Sequence, residues 1–334
     1  MKIITCTGYG GTGSSAITDL LKEFDNGLSL GDAEFWFLQD YDGISDLEYY
    51  LIDGNHRSRV NLTIKKFKKY IEEYNGFYSK FFRKNYKKFS YEYIETLIDA
   101  KFKKAISYYE IDSKFKNFFW FRISPILQKL FAKIIGKDFD EFTPFMPLEE
   151  KYYSIPDRER FYKETRKYTS KLFNLLNDKN YQFLAIDQLV PAMNAKRYMN
   201  YVENLKVLIV DRDPRDLFLL NELVWKQAPY ICNTKNVDEY ILWYKTMRKH
   251  RKLEESNENI IYIMLEDLIY RYDKTLEKLY KFIDLDKDHH IYKKRFFNPE
   301  VSIQWTKMYE KYPDYRKDDI EKIKKELDGY CFKG

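Results

Sequence analysis

Residues 8–15, Gly8-Tyr9-Gly10-Gly11-Thr12-Gly13-Ser14-Ser15, set glycines beside aliphatic hydroxyls in a pattern that suits an anion. Glycines let a backbone come close to phosphate-type oxygens, and Thr12, Ser14 and Ser15 add hydroxyl donors. Gly8, Gly10 and Gly13 satisfy the GxGxxG of dinucleotide sites. Gly8 and Gly13 also satisfy the GxxxxG of a phosphate loop, with Ser14 where that loop's lysine would stand. Without that lysine, ordinary ATP or GTP hydrolysis is not expected. A second candidate is Asp211-Arg212-Asp213-Pro214-Arg215-Asp216. Arginine forks fit phosphate oxygens, and the alternative is that Asp211, Asp213 and Asp216 merely pair with both arginines in a turn.

Proton transfer calls for a carboxylate or an imidazole. Glu34 stands 21 residues after Gly13, and Phe35, Trp36 and Phe37 beside it are expected to desolvate its carboxyl and raise its pKa. Asp32 and Asp187 are second choices. His56, with Arg57, follows the turn at Gly54-Asn55 and either brings positive charge to a site or simply lies on the surface. His289-His290 has no cysteine or carboxylate at ligand spacing, so it reads as surface, and no metal is expected.

These groups need elements to hold them. An apolar run over residues 2–7 enters the glycines as a buried strand, and Ile17, Leu20, Leu21 and Phe24 then recur at helical spacing. Strand, glycine loop and helix open an α/β fold. A short extended piece is expected near 28–30. Strand patterns return at 183–186, 207–210 and 260–264, each followed by a helical pattern. Residues 61–180 read as long, helical and rich in Lys, Tyr and Phe. The expected architecture is therefore a parallel sheet flanked by helices, built from 1–60 and 181–334, with 61–180 as a large helical insertion. No internal repeat is visible.

Composition bounds the rest. The chain has 334 residues, 44% of them apolar and 18% aromatic, which fits about two folded domains or one domain with an insertion. No apolar run approaches the roughly 18 residues a membrane helix needs, and a strand at Lys2 leaves no room for a secretory signal. Cys6, Cys232 and Cys331 are odd in number and far apart. They point to reduced thiols, a cytoplasmic setting and no structural zinc. Net charge is +6, yet residues 61–140 hold 18 Lys and Arg against 9 Asp and Glu. Such a segment is either a set of solvated helix faces, a surface for an acidic glycan, or a peripheral contact with an anionic membrane. No motif for nucleic acid accompanies it.

Taken in order, the motifs resemble the superfamily of sulfotransferases that use 3′-phosphoadenosine 5′-phosphosulfate (PAPS). The family's 5′-phosphosulfate loop resembles residues 10–15, and its 3′-phosphate motif, an arginine at a strand end, resembles Arg212. Its Glu-Asp-Leu strand end is similar to Glu266-Asp267-Leu268, and its C-terminal Trp-x-Lys to Trp305-Thr306-Lys307. The resemblance spans the core, about two thirds of the chain, and leaves 61–180 unmatched.

The resemblance implies a P-loop-like sheet and PAPS as co-substrate. Gly10, Gly11, Thr12, Gly13, Ser14, Ser15, Arg212, Asn221, Trp305 and Lys307 would hold it. Sulfuryl would pass in line to a hydroxyl or amine of a carbohydrate-type acceptor, a glycan or glycolipid, without metal or covalent intermediate. Glu34 would be the base, with Asp32 and Asp187 behind it, and His56 and Arg57 would serve the acceptor.

Three positions depart from the family pattern. Gly11 stands where a Lys or Arg usually precedes the Ser/Thr-Gly, Leu220 replaces a serine with Asn221 next to it, and Asp187-Gln188 lies where many members carry a histidine base. Two other readings remain open. One is a Rossmann-type NAD(P)-dependent nucleotide-sugar enzyme, resting on Gly8, Gly10, Gly13 and Asp32; the Tyr-x-x-x-Lys pair it would want is matched by Tyr270 and Lys274, which fall late and are expected by chance in so Tyr- and Lys-rich a chain. The other is a catalytically weak PAP-binding homologue, resting on Gly11.

Overall fold

The computed structural model describes residues 1–105, 114–136, 148–226, 234–251 and 257–334. The chain divides into two compact units, Met1–Asp40 with Thr169–Gly334, and Tyr41–Tyr168. Among the described residues, no helix is long and apolar enough to cross a membrane.

The first unit is built on a five-stranded parallel sheet. Its strands are β1 (Lys2–Gly8), β2 (Gly27–Glu34), β5 (Phe183–Asp187), β6 (Leu205–Asp211) and β7 (Ile260–Met264), in the spatial order β2-β5-β1-β6-β7. The three central strands are almost wholly buried because helices cover both faces, which is why they read as unbroken apolar runs. On one face, α1 (Ser14–Leu21) sets Ile17, Leu20 and Leu21 in one core with Ile4, Leu208 and Val210. The expected parallel sheet flanked by helices is thus present.

The sheet order matters for function. In the dinucleotide-binding order, the second strand lies beside the first. Here β1 is flanked by β5 and β6, and β2 pairs with β5. From β1 the chain leaves towards β2, and from β6 it leaves towards β7 on the opposite side. The carboxyl ends of β1 and β6 are therefore the point where connections diverge, and a crevice opens there.

The second unit is mainly helical, with α2 (Arg57–Phe81), α3 (Tyr86–Leu97), α4 (Ser124–Ile134) and α5 (Arg158–Asn174), the last running on into the first unit. It also holds an antiparallel pair that the sequence reading missed, β3 (Ala100–Ala105) with β4 (Leu148–Tyr153). Lys103 faces Glu150 and Lys104 faces Glu149 across the pair, so opposite charges supply what an apolar face usually does. Alternation of that kind leaves no hydrophobic signal to read.

One further expectation is corrected. His290, read as a surface residue, is buried. Its Nε2 lies 2.6 Å from Glu23 Oε2 and its Nδ1 2.5 Å from the Tyr280 hydroxyl. Glu23 also accepts from the amides of Lys294, Phe296 and Phe297. These hydrogen bonds hold the Glu23 carboxyl below its ordinary pKa despite burial. A partner 267 residues away gave the sequence reading nothing to find. His289, by contrast, lies partly exposed beside Asp25.

Candidate functional site

A cavity of about 1100 Å³ lies at the carboxyl end of the parallel sheet. The glycine loop, Glu34, Asp187, Gln188, Arg212 and Trp305 all contribute to its wall.

The loop is shaped by two glycines in particular. Gly13 has φ of +100° at the start of α1, a conformation L side chains avoid, and a Cβ there would come within 3.0 Å of Leu265. At Gly8 a Cβ would overlap the Thr12 hydroxyl, which accepts from the Tyr9 amide at 3.2 Å. Thr12 is thus turned inward, buried beneath the loop, and is absent from the cavity wall that Gly10, Gly11, Gly13, Ser14 and Ser15 share. Helix α1 has no side-chain cap and no acidic residue in its first turn, and its Ala16 amide donates to the Gly13 carbonyl, so the amides of Ser14 and Ser15 are the ones an anion could take.

Gln188 organises the loop and had no place in the sequence reading beyond its position. Its amide nitrogen donates to Ser14 Oγ at 3.1 Å, and its oxygen accepts from the Thr7 hydroxyl at 2.9 Å. Ser14 therefore accepts from within the protein and keeps its own hydrogen to donate into the cavity.

Across the crevice, the turn after β6 separates its two arginines. Asp213 caps helix α6 (Pro214–Leu220) and takes the Arg215 fork at 2.9 and 2.6 Å. Asp211 is held by Arg248, through Nε at 3.0 Å and Nη2 at 2.6 Å, and by Arg251 at 2.9 Å. Asp216 accepts the amides of Lys307 and Met308, each at 2.7 Å. The reading of the arginines as turn-holding residues is right for Arg215. Arg212 differs: it is 5% exposed and lines the cavity. Its Nη2 donates to the Trp305 carbonyl at 2.5 Å, and its Nε has no partner. Burial pulls its pKa down, against the pull of Glu266, Asp216 and Asp213.

Glu266, at the start of the helix Leu265–Tyr270, is pushed up to about 8 by burial, so of the three carboxyls around Arg212 it is the one mostly protonated at neutral pH. Burial likewise raises Asp216 to about 6.

Glu34 ends β2 beside Asp187, the last residue of β5, after an irregularity in the pairing between Ser29 and Glu34. Partial desolvation raises the Glu34 pKa, against a hydrogen bond from Trp36 that lowers it. Phe35 and Phe37 are buried in the core and Trp36 is exposed, so of the three aromatics Trp36 shares the cavity wall with Glu34. Asp187 is buried at the wall. Asp32 has its backbone in β2, and its side chain lies outside the described residues.

The remaining candidates are scattered. Asn221 is at the wall and donates to the Thr234 hydroxyl at 3.1 Å. Trp305 is at the wall and partly exposed. Lys307 is not at the wall; its Nζ sits 4.9 Å from the centre of the Tyr270 ring. His56 and Arg57 belong to the second unit, where His56 accepts from the Ser58 amide at the head of α2. Among the described residues lining the cavity, Arg212 is the cation, against the carboxylates of Asp19, Glu34 and Asp187. No described group of three or more His, Cys, Asp or Glu is placed to hold a metal.

The sequence matches no protein-family model and no curated protein. Among solved structures, the sulfotransferase STF9 from Mycobacterium avium is similar over 98% of this chain and 75% of its own, at 11% identity and a TM-score of 0.35. A score that low says nothing about function, and the fold stands on the sheet order instead.

Proposed function

We propose that the cavity binds PAPS and that the protein transfers its sulfuryl group to a hydroxyl or amine of a carbohydrate-type acceptor. The observation that carries this reading is Arg212, a buried guanidinium with an unpartnered Nε, on the wall of the same cavity as an uncapped helix N-terminus. Two anion positions on opposite sides of one crevice suit a nucleotide with phosphate-type groups at both ends of its ribose. The sheet order weighs against the Rossmann alternative, since β5 rather than β2 lies beside β1.

PAPS, when bound, supplies an activated sulfuryl group on a phosphate leaving group. The protein's own part follows from its residues. Ser14, Ser15 and the first amides of α1 hold the sulfate and 5′-phosphate end. Arg212 holds the 3′-phosphate through Nε, and its bond to the Trp305 carbonyl fixes the guanidinium plane. Asn221 and Trp305 border that end, and we assign Lys307 there on its motif alone. Glu34 accepts the acceptor's proton, at a pKa raised by its partial desolvation. Asp187 is the second choice, and Asp32 stands behind it on sequence grounds.

Residues 61–180, with their lysines and aromatics, are proposed to hold a glycan or glycolipid acceptor, with His56 and Arg57 just before them. The cytoplasm is proposed on the spacing of the cysteines.

A second reading has its own observation. No lysine among the described residues lines the cavity, and Gly11 supplies no cation. A protein that binds PAP and turns over slowly or not at all fits that wall as well. Calorimetric titration with PAP, NAD, NADP and ATP tests the shared site. PAP binding that weakens in Arg212→Ala supports both readings, while preference for a nicotinamide dinucleotide sinks them. Labelled PAPS with a panel of glycan acceptors then separates them, because only the transferase gives a labelled product.

A further inference from the structure

In the second unit, the helical stretch from Lys114 to Ile134 is turned inside out. An α-helical turn (Lys114–Phe118), a π-helical turn (Phe119–Ile123) and α4 follow one another without a break. The buried positions of α4 are Ser124, Gln128 and Ala132, spaced by four, and Gln128 donates to the Ser124 hydroxyl at 2.7 Å. Its large apolar side chains face out instead. Ile126, Leu130, Phe131 and Ile134 are 60%, 55%, 51% and 80% exposed, and Leu127 is exposed beside them. At 100° per residue these five fall within about 140° of the helix circumference. A surface helix ordinarily shows the reverse pattern. Single exposed apolar residues are common, but a continuous stripe marks a surface that something covers.

The charges indicate what covers it. Residues 114–136 contain Lys114, Lys116, Arg122, Lys129 and Lys133, all exposed, and no Asp or Glu. By the same helical geometry Lys129 and Lys133 border the apolar stripe. A second copy of this face, brought up across a two-fold axis, would set Lys114, Arg122 and Lys133 against their own copies. An anionic bilayer offers hydrocarbon for the stripe and negative headgroups for the exposed Lys114, Arg122 and Lys133.

We propose that this stretch lies on an anionic lipid surface, with Ile126, Leu127, Leu130, Phe131 and Ile134 in the headgroup–acyl boundary. This does not depend on the reading of the cavity. The test is flotation of the full chain with vesicles of phosphatidylcholine, with and without phosphatidylglycerol. The intact protein floats with the anionic vesicles and does so less at high salt. Leu130→Ser/Ile134→Ser lowers that binding by about tenfold or more. Arg122→Glu/Lys133→Glu also lowers it and flattens the salt dependence. Circular dichroism and melting temperature stay unchanged in both, since all four side chains are exposed. Binding equal to both vesicle types, or unaffected by the serine pair, overturns the proposal. No vesicle binding overturns it in favour of a protein partner, and a dimer in light scattering that the serine pair abolishes overturns it in favour of self-association.

Discussion

Arg212 donates through Nη2 to the Trp305 carbonyl at 2.5 Å, so a strand end and a residue 93 positions later share one guanidinium. The bond fixes the plane of the fork, and Nε has no hydrogen-bond partner among the described residues. Replacing Arg212 with Lys keeps a charge but loses that plane. PAP affinity by calorimetry is expected to fall about tenfold in Arg212→Lys and about a hundredfold in Arg212→Ala, in keeping with the loss of charged hydrogen bonds.

Glu34→Gln separates binding from turnover. PAP affinity stays within about twofold, since the residue is assigned to the acceptor's proton. The rate is expected to drop by about 10²–10⁴. Under the proposed function, the intact protein should lose activity as pH falls through the raised Glu34 pKa, because a base must be ionised to act. The variant should lack that acidic limb.

Glu266 ties stability to pH. Its folded pKa of about 8 lies above the roughly 4.3 of an unfolded glutamate, so the folded state binds the proton more tightly. That contribution is complete below the unfolded value and is lost as pH rises towards and through about 8. Glu266→Gln keeps an acceptor for the Asp213 amide and cannot ionise. Its stability relative to wild type should therefore climb between acid and alkaline pH, by on the order of a few kcal/mol, in urea unfolding.

Gly13→Ala meets both a left-handed backbone and the Leu265 side chain. A destabilisation of about 1–3 kcal/mol is expected, together with weakened PAP binding, because the first amides of α1 are aimed by this residue. Thermal melting and calorimetry on the same sample check both.

The Glu23 and His290 pair makes a separate prediction. Replacing His290 with Phe removes one of the four hydrogen bonds to the buried Glu23 carboxylate, and a loss of about 1–3 kcal/mol is expected in urea unfolding. The Glu23 pKa is held down in the folded state, so its contribution is present above the unfolded value and lost as pH falls through the folded one. A variant of normal stability would count against that role.

The parts legible in the sequence were those with a local signature. Gly8 to Ser15, between an apolar strand and an amphipathic helix, reads as an anion loop without help from elsewhere, and Arg212 follows a strand visible as Val207-Leu208-Ile209-Val210. What escaped had long-range causes. Gln188 reaches Ser14 across 174 residues, and Arg248 reaches Asp211 from the end of the helix Val237–Met247, so neither role has a spacing to recognise. The inward turn of Thr12 depends on the space Gly8 leaves, and hydroxyls in a glycine loop all look alike until that space is known. Strands β3 and β4 escaped for the opposite reason, being local but held by charge rather than by alternating hydrophobicity.

The sheet order also dictates when this protein can begin to fold on the ribosome. Strands β1 and β2 precede the sheet neighbour they share, β5, which starts at Phe183, nearly 150 residues after β2 ends at Glu34. At about 5–20 residues per second, the two strands wait roughly 7–30 s without that neighbour while Tyr41–Tyr168 is synthesised between them and it. A nascent chain with an open strand edge for that long is a natural client for a chaperone bound near the exit tunnel.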